Sequence, residues 1–155
     1  MSKKVITTSE KQTFNLGKKL AKTLKGGEVL ALTGELGAGK TVLVKGIASG
    51  LGIKKIITSP TFVLMKVYPL KASEANVANK LIHIDCYRTT SSQEIVDIGA
   101  TEYFGRPDAI TVIEWAEKIK DTLPRRRQGF GGQARQKIEI KIKLGYKNER
   151  EITIK

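Results

Sequence analysis

Eight consecutive residues, Gly34-Glu35-Leu36-Gly37-Ala38-Gly39-Lys40-Thr41, carry the spacing G-x-x-x-x-G-K-T. The chemistry open to such a run is the capture of phosphate. Glycines let the backbone turn with successive N–H groups aimed inward, and no Cβ obstructs an approaching oxygen. A helix starting at the end of the run adds its positive pole. Lys40 offers a mobile cation to the β- and γ-phosphates, and the Thr41 hydroxyl offers a ligand to Mg²⁺. Glu35, Leu36, Ala38 and, just beyond, Val42 complete the expected nucleotide-binding set. A glycine turn that merely joined strand to helix would explain the glycines but not Lys40-Thr41.

A magnesium-nucleotide site also needs a carboxylate held at a strand end near the phosphates. Two are available: Asp85 closes the apolar run 81–85, and Glu114 closes the apolar run 109–114. In a parallel sheet both ends open onto the same edge as the glycine loop. One can bind the metal, directly or through water, while the other orients the attacking water; both are therefore candidate metal and catalytic residues beside Lys40 and Thr41. A lone strand-end acid serves equally well as a helix cap. His83, the only histidine, precedes Asp85 by two residues on the same strand face and is read as packed or hydrogen-bonded, with no catalytic role. Ser59-Pro60-Thr61-Phe62 places hydroxyls in a turn after the glycine-loop helix, where NTPases often keep a segment that senses the γ-phosphate.

These groups need elements to position them. A first strand at 5–7 is followed by Ser9 and Gln12 in capping-box spacing, and Leu16, Leu20 and Leu24 recur at helical intervals up to Gly26-Gly27. The apolar run 28–33 predicts a buried strand leading into the loop, and 41–49 a helix closed near Gly50. Strands are expected at 62–68, 81–85 and 109–114. Ser91 and Glu94 form a second capping-box pattern, opening a helix through about Phe104 that Gly99 interrupts. Ile138, Ile140 and Ile142 alternate with charged residues before a turn at 145–148 and Ile152/Ile154, which predicts a hairpin with one buried face. The fold class is α/β: a P-loop NTPase-like, predominantly parallel sheet flanked by helices, with a C-terminal antiparallel hairpin.

At 155 residues and 40% hydrophobic content the chain suits one compact domain. It has no apolar run long enough to span a membrane and no secretory signal pattern, so a soluble, cytoplasmic protein is expected. A single cysteine, Cys86, excludes an internal disulfide and a multi-cysteine zinc site. The net charge of +13 makes a polyanionic partner plausible, yet Lys18, Lys19, Lys22, Lys25, Lys137, Lys141 and Lys143 all fall where a helix or strand turns to solvent. No interleaving of basic and aromatic residues suited to stacking bases occurs. Residues 124–136, rich in arginine and glycine, read as a flexible basic insertion rather than core; an RNA-binding arm is the alternative.

Taken together, Gly34 to Thr41, Thr58-Ser59-Pro60-Thr61-Phe62, His83-Ile84-Asp85-Cys86-Tyr87-Arg88 and Ile113-Glu114-Trp115 resemble the TsaE (YjeE) family, over roughly residues 5–117 and with a final hairpin similar in kind. The resemblance implies an ATPase that works with TsaB and TsaD to make threonylcarbamoyladenosine next to the tRNA anticodon, with tRNA contacted indirectly. It implies that Lys40 and Thr41 bind phosphate and Mg²⁺, that Glu114 is the metal-site acid, Asp85 the essential aspartate and Trp115 a functional tryptophan. Thr61 and Trp115 become candidates for coupling to partners, and Ser9 and Glu10, at the start of the first helix, for a place near the base. Glu35 departs from the family's usual aspartate or asparagine without altering the backbone cradle. Two other readings are weighed. A small nucleoside or nucleotide kinase needs an acceptor pocket and an arginine-bearing lid, which the late position of 124–136 argues against. A non-enzymatic RNA-binding module leaves the glycine loop unexplained.

Overall fold

The computed structural model describes residues 2–125 and 137–155. The expectation of a flexible basic insertion at 124–136 falls, for 126–136, outside the described residues. Seven strands form one sheet in the order β1-β7-β6-β2-β5-β4-β3, with β1 Lys3–Thr7, β2 Val29–Gly34, β3 Met65–Pro69, β4 Lys80–Asp85, β5 Ala109–Glu114, β6 Lys137–Leu144 and β7 Arg150–Ile154. The central strands β6, β2, β5 and β4 are mutually parallel, whereas β3 and β7 run antiparallel to their neighbours. β2, β4 and β5 read as unbroken apolar runs because both faces of a central parallel strand are covered.

One face carries α1 (Glu10–Ala21) and α2 (Lys40–Gly50), packed on Leu30, Leu32, Leu81, Ile110 and Val112. The two helices cross closely because glycines face each other. A Cβ on Gly46 would come within 2.1 Å of the Phe14 carbonyl oxygen, and one on Gly17 within 2.4 Å of that of Leu43. The opposite face is covered by α3 (Gln93–Asp97) and 3₁₀ turns at Ala100–Tyr103 and Ala116–Ile119, which bury Ile82, Ile84, Ile95, Phe104, Ile113 and Ile119.

Several boundaries differ from the sequence expectation for visible reasons. Ser9 caps α1 by accepting from the Gln12 N–H (3.2 Å), while the Gln12 side-chain Oε1 accepts from the Thr8 N–H rather than from that of Ser9. α1 stops at Ala21, short of Gly26, because the N–H groups of Lys22, Thr23 and Leu24 shift to carbonyls three residues back; Leu24 is buried all the same. β3 starts at Met65 instead of Phe62, since the Val63 N–H closes a turn on Pro60 and Leu64 adopts a left-handed φ of 64°. The helix expected from Ser91 breaks at Gly99, where φ is 76°. Only half of its capping box forms: the Glu94 carboxylate accepts from the N–H groups of Thr90 and Ser91, which holds it below the usual carboxylate range, but no side chain caps the helix start. The C-terminal hairpin is not an appendage. β6 lies directly beside β2, in parallel, so the hairpin is built into the middle of the sheet.

Candidate nucleotide and metal site

β2 delivers the chain to the glycine loop, and α2 begins at Lys40 with Gly39 as its cap residue at φ 104°, a conformation that glycine adopts without a Cβ clash. The first turn of α2 therefore faces the space above the C-terminal ends of β2, β5 and β4. Leu32, Glu114 and Asp85 are register partners across these three strands. Each sits on the strand face that packs against α1 and α2, because Leu30, Val112 and Leu81, two or four residues away, belong to that core.

The two acids have different partners. Glu114 is buried, and the Thr41 hydroxyl lies 3.0 and 2.9 Å from its Oε1 and Oε2. Asp85 is also buried; its Oδ2 accepts from the hydroxyls of Ser59 and Thr61, the latter at 3.0 Å, and its Oδ1 accepts from the Tyr87 N–H at 2.9 Å. The turn at 59–62 is thus tied to the end of β4.

Lys40 is 4% exposed and donates to the carbonyl oxygens of Gly34 (2.6 Å) and Glu35 (2.7 Å). Its ammonium also lies 4.0 Å from the centroid of the Trp115 ring. Burial pushes this ammonium below its ordinary pKa, and Glu114, Glu117, Asp85 and Glu35 oppose that push. Trp115 holds its position through a left-handed backbone (φ 58°) immediately after Glu114 and through Tyr87, whose ring centroid is 5.1 Å away. It is half-buried beside the cleft, not enclosed in the core.

These groups border a cleft of about 490 Å³, within the size range of small-molecule sites. Of the residues singled out from sequence, Glu10, Leu36, Gly37, Gly39, Lys40, Thr41, Val42, Ser59, Thr61, Phe62, Asp85, Glu114 and Trp115 reach it. Ser9, Gly34, Glu35 and Ala38 do not line it: Ser9 caps α1, Gly34 and Glu35 present carbonyls to Lys40, and Ala38 is buried behind the loop. Thr13 of α1 and Arg150 of β7 also line the cleft and carry no sequence signal, because only the pairing of β1 with β7 and the docking of α1 bring them there. Tyr87 and Arg88 line it too, with Arg88 over the ring of the exposed Phe62 at 4.4 Å.

A hydroxyl and a buried carboxylate facing each other at the start of α2 form an all-oxygen set suited to a hard divalent cation. The glycine loop before them and a buried ammonium are suited to phosphates. A parallel core sheet whose glycine loop joins β2 to α2 under two strand-end acids defines a P-loop nucleotide-binding fold. Residues 7–152 match the family model described as "Threonylcarbamoyl adenosine biosynthesis protein TsaE". The chain is 38% identical to the tRNA threonylcarbamoyladenosine biosynthesis protein TsaE of Bacillus subtilis over 147 residues, covering 95% of this chain and 81% of that protein. It is 41% identical to the Treponema pallidum protein of the same name over 120 residues, covering 77% and 82%. A crystal structure of Bacillus subtilis YdiB superposes with a TM-score of 0.73 at 34% identity, covering 99% of this chain and 84% of that one. The chain belongs to the TsaE family.

Proposed function

We propose that the chain binds Mg-ATP, hydrolyses it slowly on its own, and serves in the cytoplasm as the ATPase partner of a TsaB–TsaD complex that modifies the adenosine next to the tRNA anticodon. The observation that carries this reading is the Thr41–Glu114 pair beside the buried Lys40 at the mouth of the glycine loop. Family membership supports the pathway.

Thr41 and Glu114 would hold the magnesium ion, which when bound neutralises phosphate charge and fixes the phosphate oxygens. The Lys40 ammonium exchanges its loop carbonyls for phosphate oxygens. Asp85, oriented by Ser59, Thr61 and the Tyr87 N–H, is placed to hold water. Because Ser59 and Thr61 sit on the turn that carries the exposed Phe62, a change at Asp85 is passed directly to the surface. That linkage gives a physical route by which ATP and its products bias a partner between two states.

The test is a reconstituted reaction measuring modified tRNA formed per TsaB–TsaD complex over time. Multiple turnovers are expected only with wild-type protein and hydrolysable ATP. Equal multiple-turnover yields with Lys40→Ala would overturn the role.

A further inference from the structure

We propose that His83 is a positioning residue that fixes the Glu114 carboxylate for its cation, an inference that rests on reading Thr41 and Glu114 as the ion site. His83 is fully buried on β4, and its Nε2 lies 2.8 Å from Glu114 Oε1. Its other ring nitrogen, Nδ1, has no hydrogen-bond partner among the described residues.

Those two facts select the tautomer. A proton on Nε2 donates to the carboxylate and leaves only a bare acceptor unmatched. A proton on Nδ1 would bury an unsatisfied donor and set the Nε2 lone pair against a carboxylate oxygen, two penalties instead of one. Of the two tautomers, the one with its proton on Nε2 is therefore assigned.

The consequence falls on Glu114. Thr41 has one hydroxyl proton for two oxygens at 3.0 and 2.9 Å. With Oε1 accepting from His83, Oε2 is the oxygen left for the Thr41 proton, and rotating the carboxylate about its last torsion would break the His83 bond. A ligating carboxylate that is itself hydrogen-bonded behaves as an oriented ligand, and the loss of such an outer partner typically weakens metal affinity. His83 is buried and does not line the cleft; it acts through Glu114.

Because His83 is the only histidine in the chain, its ring nitrogens can be read without ambiguity in a long-range ¹H–¹⁵N correlation spectrum of the ¹⁵N-labelled wild-type protein. The expected result is protonated Nε2 and unprotonated Nδ1. A protonated Nδ1 overturns the assignment, whatever the fate of any variant.

Two substitutions then separate positioning from packing. His83→Gln retains an amide donor near the Nε2 position, and His83→Leu retains only bulk. Binding of a non-hydrolysable ATP analogue is titrated with Mg²⁺, and again in EDTA. His83→Leu is expected to raise the half-maximal Mg²⁺ concentration about ten- to a hundred-fold, and His83→Gln to return it to within about threefold, with affinity in EDTA unchanged. An unshifted Mg²⁺ titration in His83→Leu, or an equal loss in EDTA, overturns the positioning role. A wild type that binds no magnesium nucleotide overturns the reading of the whole site as well, which distinguishes the two failures.

Discussion

Asp85 and Glu114 stand opposite each other in register on adjacent parallel strands, yet one is bonded to the loop at 59–61 and the other to the first turn of α2. Equivalent places on the sheet thus serve two different elements. Glu114→Ala is expected to raise the Mg²⁺ needed for half-maximal nucleotide binding by about tenfold or more. Asp85→Ala is expected to leave nucleotide bound while hydrolysis falls by about a hundredfold. Magnesium titrations of binding and of phosphate release in both variants check this, and identical metal titrations would remove the distinction.

Trp115 is the only tryptophan, and its ring faces the Lys40 ammonium at 4.0 Å. On the proposed reading ATP would draw that cation away, so intrinsic fluorescence should change on adding ATP to the wild type and not to Lys40→Ala. Trp115→Ala removes a contact of about 1 kcal/mol, so its effect on nucleotide affinity should be small. If the residue couples the site to partners, multiple turnover with TsaB–TsaD should be lost while ATP binding persists.

The crossing of α1 and α2 depends on Gly46, whose added Cβ would meet the Phe14 carbonyl at 2.1 Å. That contact is backbone, so a helix must move. Gly46→Ala should destabilise the fold by about 1–3 kcal/mol despite the better helix propensity of alanine. A thermal melt at or above the wild-type midpoint would contradict the tight packing.

Cys86 is buried behind the end of β4, and burial pushes its thiol up to about 12. The reactive thiolate is then scarce near neutral pH. Labelling with a thiol reagent should be slow in the native state and rapid in denaturant, so that the labelling rate reports opening of this region. Rapid native labelling would show that the strand end opens freely.

Arg106 clamps Asp108 through Nε and Nη2 at 2.9 and 2.7 Å, and Lys80 adds a third contact. These bonds, that of Arg106 first, hold the Asp108 carboxyl below its ordinary value. A depressed folded-state pKa contributes stability that is complete above the unfolded value of about 3.9 and disappears as pH falls through the folded one. The pair is partly exposed, so the effect is small. The difference in melting temperature between wild type and Asp108→Asn should be present at neutral pH and shrink below about pH 4; a difference independent of pH would contradict the assignment.

Much of the site was legible because its parts obey local rules. Gly39 and Lys40 sit where a strand gives way to a helix, and Asp85 and Glu114 end runs that are apolar because both sheet faces are covered. Other features were not legible, since they depend on which strands become neighbours. Arg150 reaches the cleft only because β7 pairs with β1, and Thr13 only because α1 docks across the loop. His83 could be placed on the face of Asp85 from strand alternation, but its bond to Glu114 needed the register of β4 against β5. The boundary of β3 was missed because the left-handed Leu64 leaves no compositional mark.

The parallel pairing of β2 with β6 has a consequence for the order of assembly. Val29 has Thr111 on one side and Lys137 on the other, so the strand that launches the glycine loop leaves the ribosome long before either of its neighbours exists, and the last of them is β6. Until then the loop hangs from an open sheet edge, the kind of surface on which nascent chains associate wrongly. Closing so distant a contact is slow relative to local structure. Nucleotide competence should therefore appear only as the final hairpin docks, which makes acquisition of ATP binding during refolding a direct clock for completion of the sheet.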